Sequence, residues 1–252
     1  MREYLRRILS VHRCIACRNI LSYDCFDEAF CPSCKMSWQI SKTENCPECY
    51  GAATECHCMP KQLSNAGAIT LRKLFFYSAK KEKEVQNKLV YYLKHHKSTR
   101  ASRFVAGELA ALVGEELATL GIEKGDAVIV GVPRGKTAVN LEGFDQSELV
   151  CRELASALGI AYEPLIKRRI GGREQKTLSA AQRKKNIKNL MYIRNKDQDK
   201  IKGKYVLLFD DIVTSGASMS VCLSLLRRAG AKGVICLCLA SDLKKNGINK
   251  PS

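Results

Sequence analysis

The sequence predicts an α/β protein with a largely parallel sheet, preceded by a small cysteine-rich module. Beyond Pro60, apolar segments typical of buried strands alternate with amphipathic segments of helical periodicity. That order indicates right-handed crossovers between parallel strands. Before Pro60, cysteines dominate, because nine of the 13 in the chain lie between Cys14 and Cys58. We therefore expect a zinc-ribbon module over residues 1–62 and an α/β domain over residues 63–252.

Strands and helices alternate along the second part of the chain. Strands are predicted for four apolar segments, namely KLFFYS (73–78), DAVIVGVP (126–133), KYVLLFDD (204–211) and GVICLCLA (233–240). Helices are predicted for EVQNKLVYYLKHHK (84–97), SRFVAGELAALVGEELATLG (102–121), SELVCRELASALG (147–159) and SMSVCLSLLRRAG (218–230). Tyr91, Tyr92 and Phe104 fall within these helices. We expect them to pack in the core rather than to stand free for stacking.

The composition is typical of a soluble globular protein, with 46% hydrophobic and 27% charged residues among 252. No apolar run approaches the ~18 residues of a membrane span. The basic N-terminal segment MREYLRRILSVHRC has too short and too interrupted an apolar stretch for a signal peptide. We therefore expect a cytoplasmic protein without a membrane span.

Positive charge is concentrated in two segments. The chain has 42 Lys and Arg residues against 25 Asp and Glu, a net charge of +17. Residues 1–60 are neutral, with 7 basic and 7 acidic side chains, whereas residues 72–103 have 10 basic and 2 acidic, and residues 167–204 have 14 basic and 3 acidic. A solvated surface is one explanation. Concentration into two blocks favours a polyanionic partner, either nucleic acid or a phosphate-rich metabolite.

Eight of the N-terminal cysteines are paired at the spacing of zinc knuckles. A turn of two residues lets both thiolates face one tetrahedral ion, and a second such turn completes the coordination. We expect about two structural Zn²⁺ ions, because the segment has few large apolar residues to fold without metal. The knuckles can pair in sequence or interleave, and the short closing loops favour the first. The predicted ligands are Cys14, Cys17, Cys31, Cys34, Cys46, Cys49, Cys56 and Cys58.

The segment VLLFDDIVTSGAS (206–218) joins a buried strand to two acids and a loop of small and hydroxylic residues. In an open parallel sheet, ligands bind beyond the carboxyl ends of the strands, where Asp210 and Asp211 stand. Free amides and hydroxyls of the loop before the next helix suit a phosphate. The carboxylates suit the vicinal hydroxyls of a sugar. Together they predict a ribose 5-phosphate site, with helix capping by Ser or Thr as the alternative.

These features, taken in order along the chain, resemble a known family. VLLFDDIVTSGAS is similar to the phosphoribosyl pyrophosphate motif of type I phosphoribosyltransferases. The cysteine-rich start is followed by YYLKHHK, VPRGKTAVNLEGFDQSELVCRELA and KRRIGGREQKTLSAAQRKKN. This arrangement resembles the ComF family, which includes the competence protein ComFC and GntX-like proteins, over nearly the whole chain. The resemblance implies a type I phosphoribosyltransferase fold behind a double zinc ribbon.

The resemblance also assigns roles to residues. Asp210 and Asp211 would be the catalytic pair on the ribose hydroxyls. Pyrophosphate would lie on the loop after the strand that ends near Gly131, served by Arg134 and Lys136. The motif GFDQSE matches the family at Gly143, Phe144 and Gln146, with Asp145 where Asn is usual and Glu142 where Arg is usual. The 5-phosphate would be held by Thr214, Ser215, Gly216, Ala217 and Ser218, and a mobile basic loop would contain Gln175, Arg183 and Asn186.

Two functions follow as expectations. The ComF resemblance implies a competence protein that handles incoming single-stranded DNA in the cytoplasm during natural transformation. Such a protein would have a phosphoribosyl pyrophosphate site. It would act beside partners such as a helicase-like protein. The alternative is an active phosphoribosyltransferase that displaces pyrophosphate with a nitrogen nucleophile, using Mg²⁺ held largely by the substrate. No nucleobase-recognising hood is evident in the sequence.

Overall fold

The computed structural model describes residues 11–77, 83–169, 190–242 and 248–249. Gln175, Arg183 and Asn186, the expected basic loop, lie outside these residues. Lys136 is described by its backbone alone.

Seven α-helices and nine strands are found in the described parts of the chain. The helices are α1 Pro32–Lys42, α2 Lys61–Ala66, α3 Val85–His95, α4 Thr99–Thr119, α5 Lys136–Glu142, α6 Gln146–Leu158 and α7 Ala217–Arg228. The strands are β1 Met59–Pro60, β2 Thr70–Phe76, β3 Ala127–Gly131, β4 Ala161–Tyr162, β5 Ile166–Arg168, β6 Met191–Ile193, β7 Tyr205–Val213, β8 Gly233–Ser241 and β9 Ile248–Asn249.

The central sheet has five strands in the order β2-β8-β7-β3-β4, and every neighbouring pair is parallel. The prediction of an α/β fold with a parallel sheet is therefore confirmed. The two central strands, β7 and β8, are apolar along most of their length because helices cover both faces. Strands β5 and β6 form a separate antiparallel pair, and β1 pairs with β9.

Alternate residues of β7 enter two different cores. Leu207 and Phe209 pack on the face covered by α3, α4 and α6. Val206 and Leu208 pack on the opposite face, against α2 and α7. This alternation follows from the two-residue period of a strand. The next residues of β7 are Asp210 and Asp211, near its carboxyl end.

The first part of the cysteine-rich module shares the core of the α/β domain. Trp38 of α1 is fully buried, and its ring centroid lies 5.7 Å from that of Phe75 in β2 and 5.3 Å from that of Phe104 in α4. Its indole Nε1 donates to Glu108 Oε2 at 3.0 Å. Cys14 and Phe30 belong to the same buried cluster. The module and the sheet are thus packed together through aromatic side chains.

In the part of the chain that the structure describes, no helix has both the length and the apolarity to cross a membrane.

Candidate functional site

Asp210 and Asp211 lie at the carboxyl end of β7, beside the loop that follows β3. Gly131 is in register with Phe209, and the amide of Val132 donates to the Phe209 carbonyl at 2.8 Å. The loop Val132–Gly135 and the acid pair therefore stand next to each other at one edge of the sheet. This is the location that the strand order of a parallel sheet predicts for a ligand.

Asp211 is held by groups from two helices. Gln146, the first residue of α6, donates from Nε2 to Asp211 Oδ2 at 2.9 Å. Lys94, near the end of α3, places Nζ 3.7 Å from the same oxygen. The amide of Ile212 donates to Asp211 Oδ1 at 2.7 Å. The Asp211 carboxyl is therefore oriented as a hydrogen-bond acceptor, and Lys94 is a cation of the site that the sequence did not single out.

Asp210 is in a different electrostatic state. Burial raises the pKa of the Asp210 carboxyl well above its usual value, and the negative charge of Asp211 raises it further. One hydrogen bond, from the Asp211 amide to Asp210 Oδ1 at 2.9 Å, opposes this shift. Burial and the neighbouring charge therefore make ionisation of Asp210 costly. A ligand that donates hydrogen bonds to both carboxyl groups would offset that cost.

The loop Thr214–Ser218 leads into α7 without a side-chain cap. Its N-cap residue is Gly216, whose φ is +73°, and among the described residues no side chain accepts from the first turn. By contrast, Ser98 caps α4 and Asp145 caps α6. The hydroxyls of the loop are therefore not used for capping, which weakens that alternative. The amides of the first turn and the positive end of the helix dipole are left for an anion.

Gly216 meets two constraints at once. Its left-handed backbone strains any other L-residue, and a Cβ there would stand 2.9 Å from Leu63 Cγ. Leu63 belongs to α2, which packs under the loop. Replacing Gly216 with Val would therefore distort the loop itself as well as crowd a bound phosphate.

Arg134 lies in the loop after β3, close to the acid pair. Its amide donates to Asp145 Oδ2 at 3.2 Å, and its Nη1 donates to the Lys94 carbonyl at 3.4 Å. Asp145 also accepts from Ser147, as a cap residue does, so the departure from Asn keeps the capping function. The guanidinium of Arg134 thus stands on the same side of the sheet edge as Lys94.

Glu142 has a basic partner in α3. His95 Nδ1 donates to Glu142 Oε1 at 2.8 Å, which joins α5 to α3. The acid that replaces the family's usual arginine is therefore engaged by a histidine.

A cavity of about 370 Å³ adjoins the loop after β3 and is covered by the β5–β6 hairpin. Four cations and two aromatic rings line it, beside Asp145 and Glu148. The Arg168 guanidinium approaches Gly135, with Nη1 3.6 Å from the position of a Cβ on that glycine. Except for Arg134, the sequence did not single out these side chains, which are Arg134, Lys167, Arg168, Arg194, Tyr162 and Tyr192.

The eight predicted zinc ligands form two groups of four. One group contains Cys14, Cys17, Cys31 and Cys34, and the other contains Cys46, Cys49, Cys56 and Cys58. Within each group the sulfur atoms all lie within 4.8 Å of one another, as four ligands around one ion require. The knuckles therefore pair in sequence, as the short loops favoured. Each group fits a closed structural site.

A buried lysine supports a metal at the second group. Lys73 of β2 is 0% exposed, and its Nζ donates to the Cys56 carbonyl at 2.5 Å. Among the described residues no carboxylate forms an ion pair with it. A buried ammonium needs nearby negative charge, and four thiolates around one Zn²⁺ bear a net charge of −2. Burial raises the pKa of Cys56, and Lys73 opposes that shift.

We predict that Lys73→Met loosens zinc at the second group. The neutral side chain keeps the volume but removes the cation that offsets the thiolates. Release of one of two zinc equivalents to a chelator should accelerate by roughly tenfold or more, as outer-shell substitutions typically cost 10–100-fold in affinity. A metallochromic indicator follows the release, and Trp38 fluorescence monitors the fold. Lys35→Met, at an exposed ion pair with Glu28, is the matched control. If both zinc equivalents leave the Lys73→Met variant at the rate measured for the parent, the assignment is contradicted.

The parallel sheet and its covering helices form a fold of the type I phosphoribosyltransferase kind. Residues 145–250 match the family model described as "Phosphoribosyl transferase domain". This region includes the acid pair and the Thr214–Ser218 loop. Solved structures with a likeness to the chain include a purine phosphoribosyltransferase from Pyrococcus horikoshii Ot3 (20% identity, 55% of this chain and 74% of that one, TM-score 0.34). A hypoxanthine phosphoribosyltransferase from Staphylococcus aureus is another (15% identity, 62% and 71%, TM-score 0.37).

Curated relatives match a larger share of the chain than the family model does. The "DNA utilization protein YhgH" of Salmonella typhimurium is 34% identical over 160 residues, which are 62% of this chain and 66% of that protein. The protein of the same name from Escherichia coli K12 is 27% identical over 219 residues, 84% of this chain and 90% of that protein. The chain thus spans slightly less than two thirds of the Salmonella relative. These matches confirm the predicted resemblance to the ComF and GntX-like family.

Proposed function

We propose that the chain is a competence protein that handles single-stranded DNA in the cytoplasm and binds phosphoribosyl pyrophosphate or a similar ribose 5-phosphate ligand. The observation that carries this proposal is the edge of the sheet. There Asp210 and Asp211, the uncapped start of α7 and the loop that contains Arg134 stand together. In this proposal residues 1–62 act as a structural zinc-ribbon module and residues 63–252 supply the binding domain.

In the phosphoribosyl site, Asp210 and Asp211 accept hydrogen bonds from the two ribose hydroxyls. The Thr214–Ser218 loop holds the 5-phosphate through its amides and hydroxyls. Arg134 and Lys136 serve the pyrophosphate, and the geometry adds Lys94, whose Nζ is 3.7 Å from Asp211. Mg²⁺ would arrive with the pyrophosphate, held largely by its oxygens.

The DNA role has two supports. Relatives are named DNA utilization proteins. The net charge of +17 is concentrated in two segments, as expected of a chain that binds a phosphate backbone. A helicase-like protein is a candidate partner in this role.

An active phosphoribosyltransferase is the second candidate, and the cavity beside Arg134 favours it. A pocket of about 370 Å³, bounded by the rings of Tyr162 and Tyr192, gives a nitrogenous acceptor room beside the pyrophosphate loop. An enzyme would release pyrophosphate with its correct acceptor, whereas a binding protein would release none.

We expect single-stranded DNA to bind with an affinity that falls steeply as salt rises. If about four phosphates are neutralised, the slope of log K against log salt is near −3. Affinity then drops roughly fiftyfold between about 50 and 200 mM salt. Fluorescence anisotropy of a labelled oligonucleotide, with and without phosphoribosyl pyrophosphate, measures this. Affinity that does not depend on salt, or no binding at all, would count against the nucleic-acid role.

A further inference from the structure

A second concave surface lies between the first cysteine group and helix α3, and we call it the Tyr91 groove. Its volume is about 570 Å³, larger than the cavity beside Arg134. One wall belongs to the zinc module and the other to α3. It is lined by Ile15, Ala16, Arg18, Tyr77, Asn87, Lys88, Val90, Tyr91 and Lys94.

The groove combines positive charge with aromatic surface. Arg18, Lys88 and Lys94 contribute three cations, and no carboxylate stands among the described residues that line it. Arg18 and Lys88 form no ion pair with another described residue. Tyr77 and Tyr91 supply rings. A strand of phosphates with unstacked bases presents the complementary chemistry.

The Tyr91 side chain is exposed to solvent, whereas other side chains of its helix are buried in the core. Its side chain is 63% exposed, although the sequence favoured a core position for it. Elsewhere on α3, Leu89 and Leu93 are buried in the main core. The Tyr91 ring contacts the His95 ring one turn on, with centroids 4.3 Å apart. The ring is therefore a supported platform rather than a loose side chain, which lowers the entropy lost when a base stacks on it.

The other two aromatic candidates behave as the sequence predicted. Phe104 packs edge-on against Phe30, with centroids 5.0 Å apart, and Tyr92 packs against the core. Tyr91 is thus the exposed ring of the three.

We propose that the Tyr91 groove is where single-stranded DNA lies on this protein, with a base stacked on Tyr91 and phosphates on Arg18 and Lys88. The inference rests on the proposed function and locates its DNA interface. A single strand is the occupant that the surface fits, because stacking needs a base whose face is free, which a duplex does not offer.

The groove and the proposed phosphoribosyl site share one residue. Lys94 lines the groove and also pairs with Asp211. A strand that contacts Lys94 would therefore lie close to the acid pair. Because Asp211 offsets part of the Lys94 charge, most of the phosphate binding falls to Arg18 and Lys88.

The test compares two labelled oligonucleotides of equal length, one of thymidines and one abasic, by anisotropy. Tyr91→Ala should weaken the thymidine strand by about 5- to 100-fold and leave the abasic strand nearly unchanged, since only the stacked base is lost. Tyr91→Phe should bind as the parent. Tyr50→Ala removes a tyrosine that is 77% exposed near the second cysteine group, and it is the matched control. Lys88→Gln should weaken both strands alike.

The outcomes separate the two proposals. If the parent binds neither strand, the DNA role itself fails. If the parent binds and Tyr91→Ala loses no affinity for the thymidine strand, the DNA role stands and the groove is the wrong location. Equal weakening of both strands by Tyr91→Ala would also reject base stacking there. Melting temperatures of the variants verify that the fold is intact.

Discussion

Replacing both Asp210 and Asp211 with Asn is expected to weaken phosphoribosyl pyrophosphate binding by on the order of a hundredfold or more. Each lost charge-assisted hydrogen bond is worth roughly 1.5–3 kcal/mol, and 1.4 kcal/mol is about a factor of ten in affinity. Titration calorimetry measures the change directly. If the protein is an enzyme, the same variant must also stop pyrophosphate release.

The empty variant should be more stable than the parent at neutral pH. The pKa of Asp210 is raised in the folded state, so ionising it costs folding free energy once pH exceeds the usual range of a carboxyl. The cost vanishes at acid pH, where the carboxyl is protonated in both the folded and the unfolded chain. The gain in melting temperature should therefore shrink as pH falls. Asp126→Asn, at an exposed position, is the control. Parental affinity in the double variant would overturn the ribose assignment.

Removing zinc from the first cysteine group is expected to unfold much more than the ribbon. Cys14 is fully buried in the core that also contains Trp38, Phe75 and the inner face of α4. Elemental analysis should find about two zinc ions per chain. Cys14→Ser, or a chelator, should then lower the melting temperature strongly and shift Trp38 emission, because metal binding in such modules is folding free energy.

Cys46→Ser is the informative comparison. The second group forms a small cluster of its own with Ala53 and Phe76. Its loss should reduce solubility and loosen that end while phosphate binding survives. If the purified protein contains no zinc, and if a chelator does not change its melting temperature, both metal sites are contradicted.

The strands and the acid pair were predictable because local signals agree there with the tertiary structure. The segment Tyr205–Val213 is apolar enough to be buried on both faces, and a parallel sheet brings the ends of its strands to one edge. The eight predicted zinc ligands were recognisable for a similar reason, since each knuckle is a local turn. Their spacing identified the residues, whereas the pairing of the knuckles was left open between two arrangements.

Other features depend on contacts between distant residues. The β5–β6 hairpin has strands of three residues each, too short for a periodic signal. Lys94 and Gln146 contact Asp211 from helices far away in the sequence, so the sequence did not predict these contacts, although Gln146 was named for its match to the GFDQSE motif. Tyr91 was expected in the core because apolar periodicity identifies a face but does not show how wide a strip of the helix is covered. That width is decided by what packs against α3.

Lys94 has a consequence for how the two proposed ligands influence each other. One ammonium cannot fully serve two polyanions at once, and Lys94 stands both in the Tyr91 groove and 3.7 Å from Asp211. Under the two proposals, filling either site therefore lowers the affinity of the other. Thermodynamic linkage makes the two effects equal in size, whichever ligand arrives first. The supply of activated ribose would thus set how firmly a DNA strand is held, and a held strand would in turn expel the sugar.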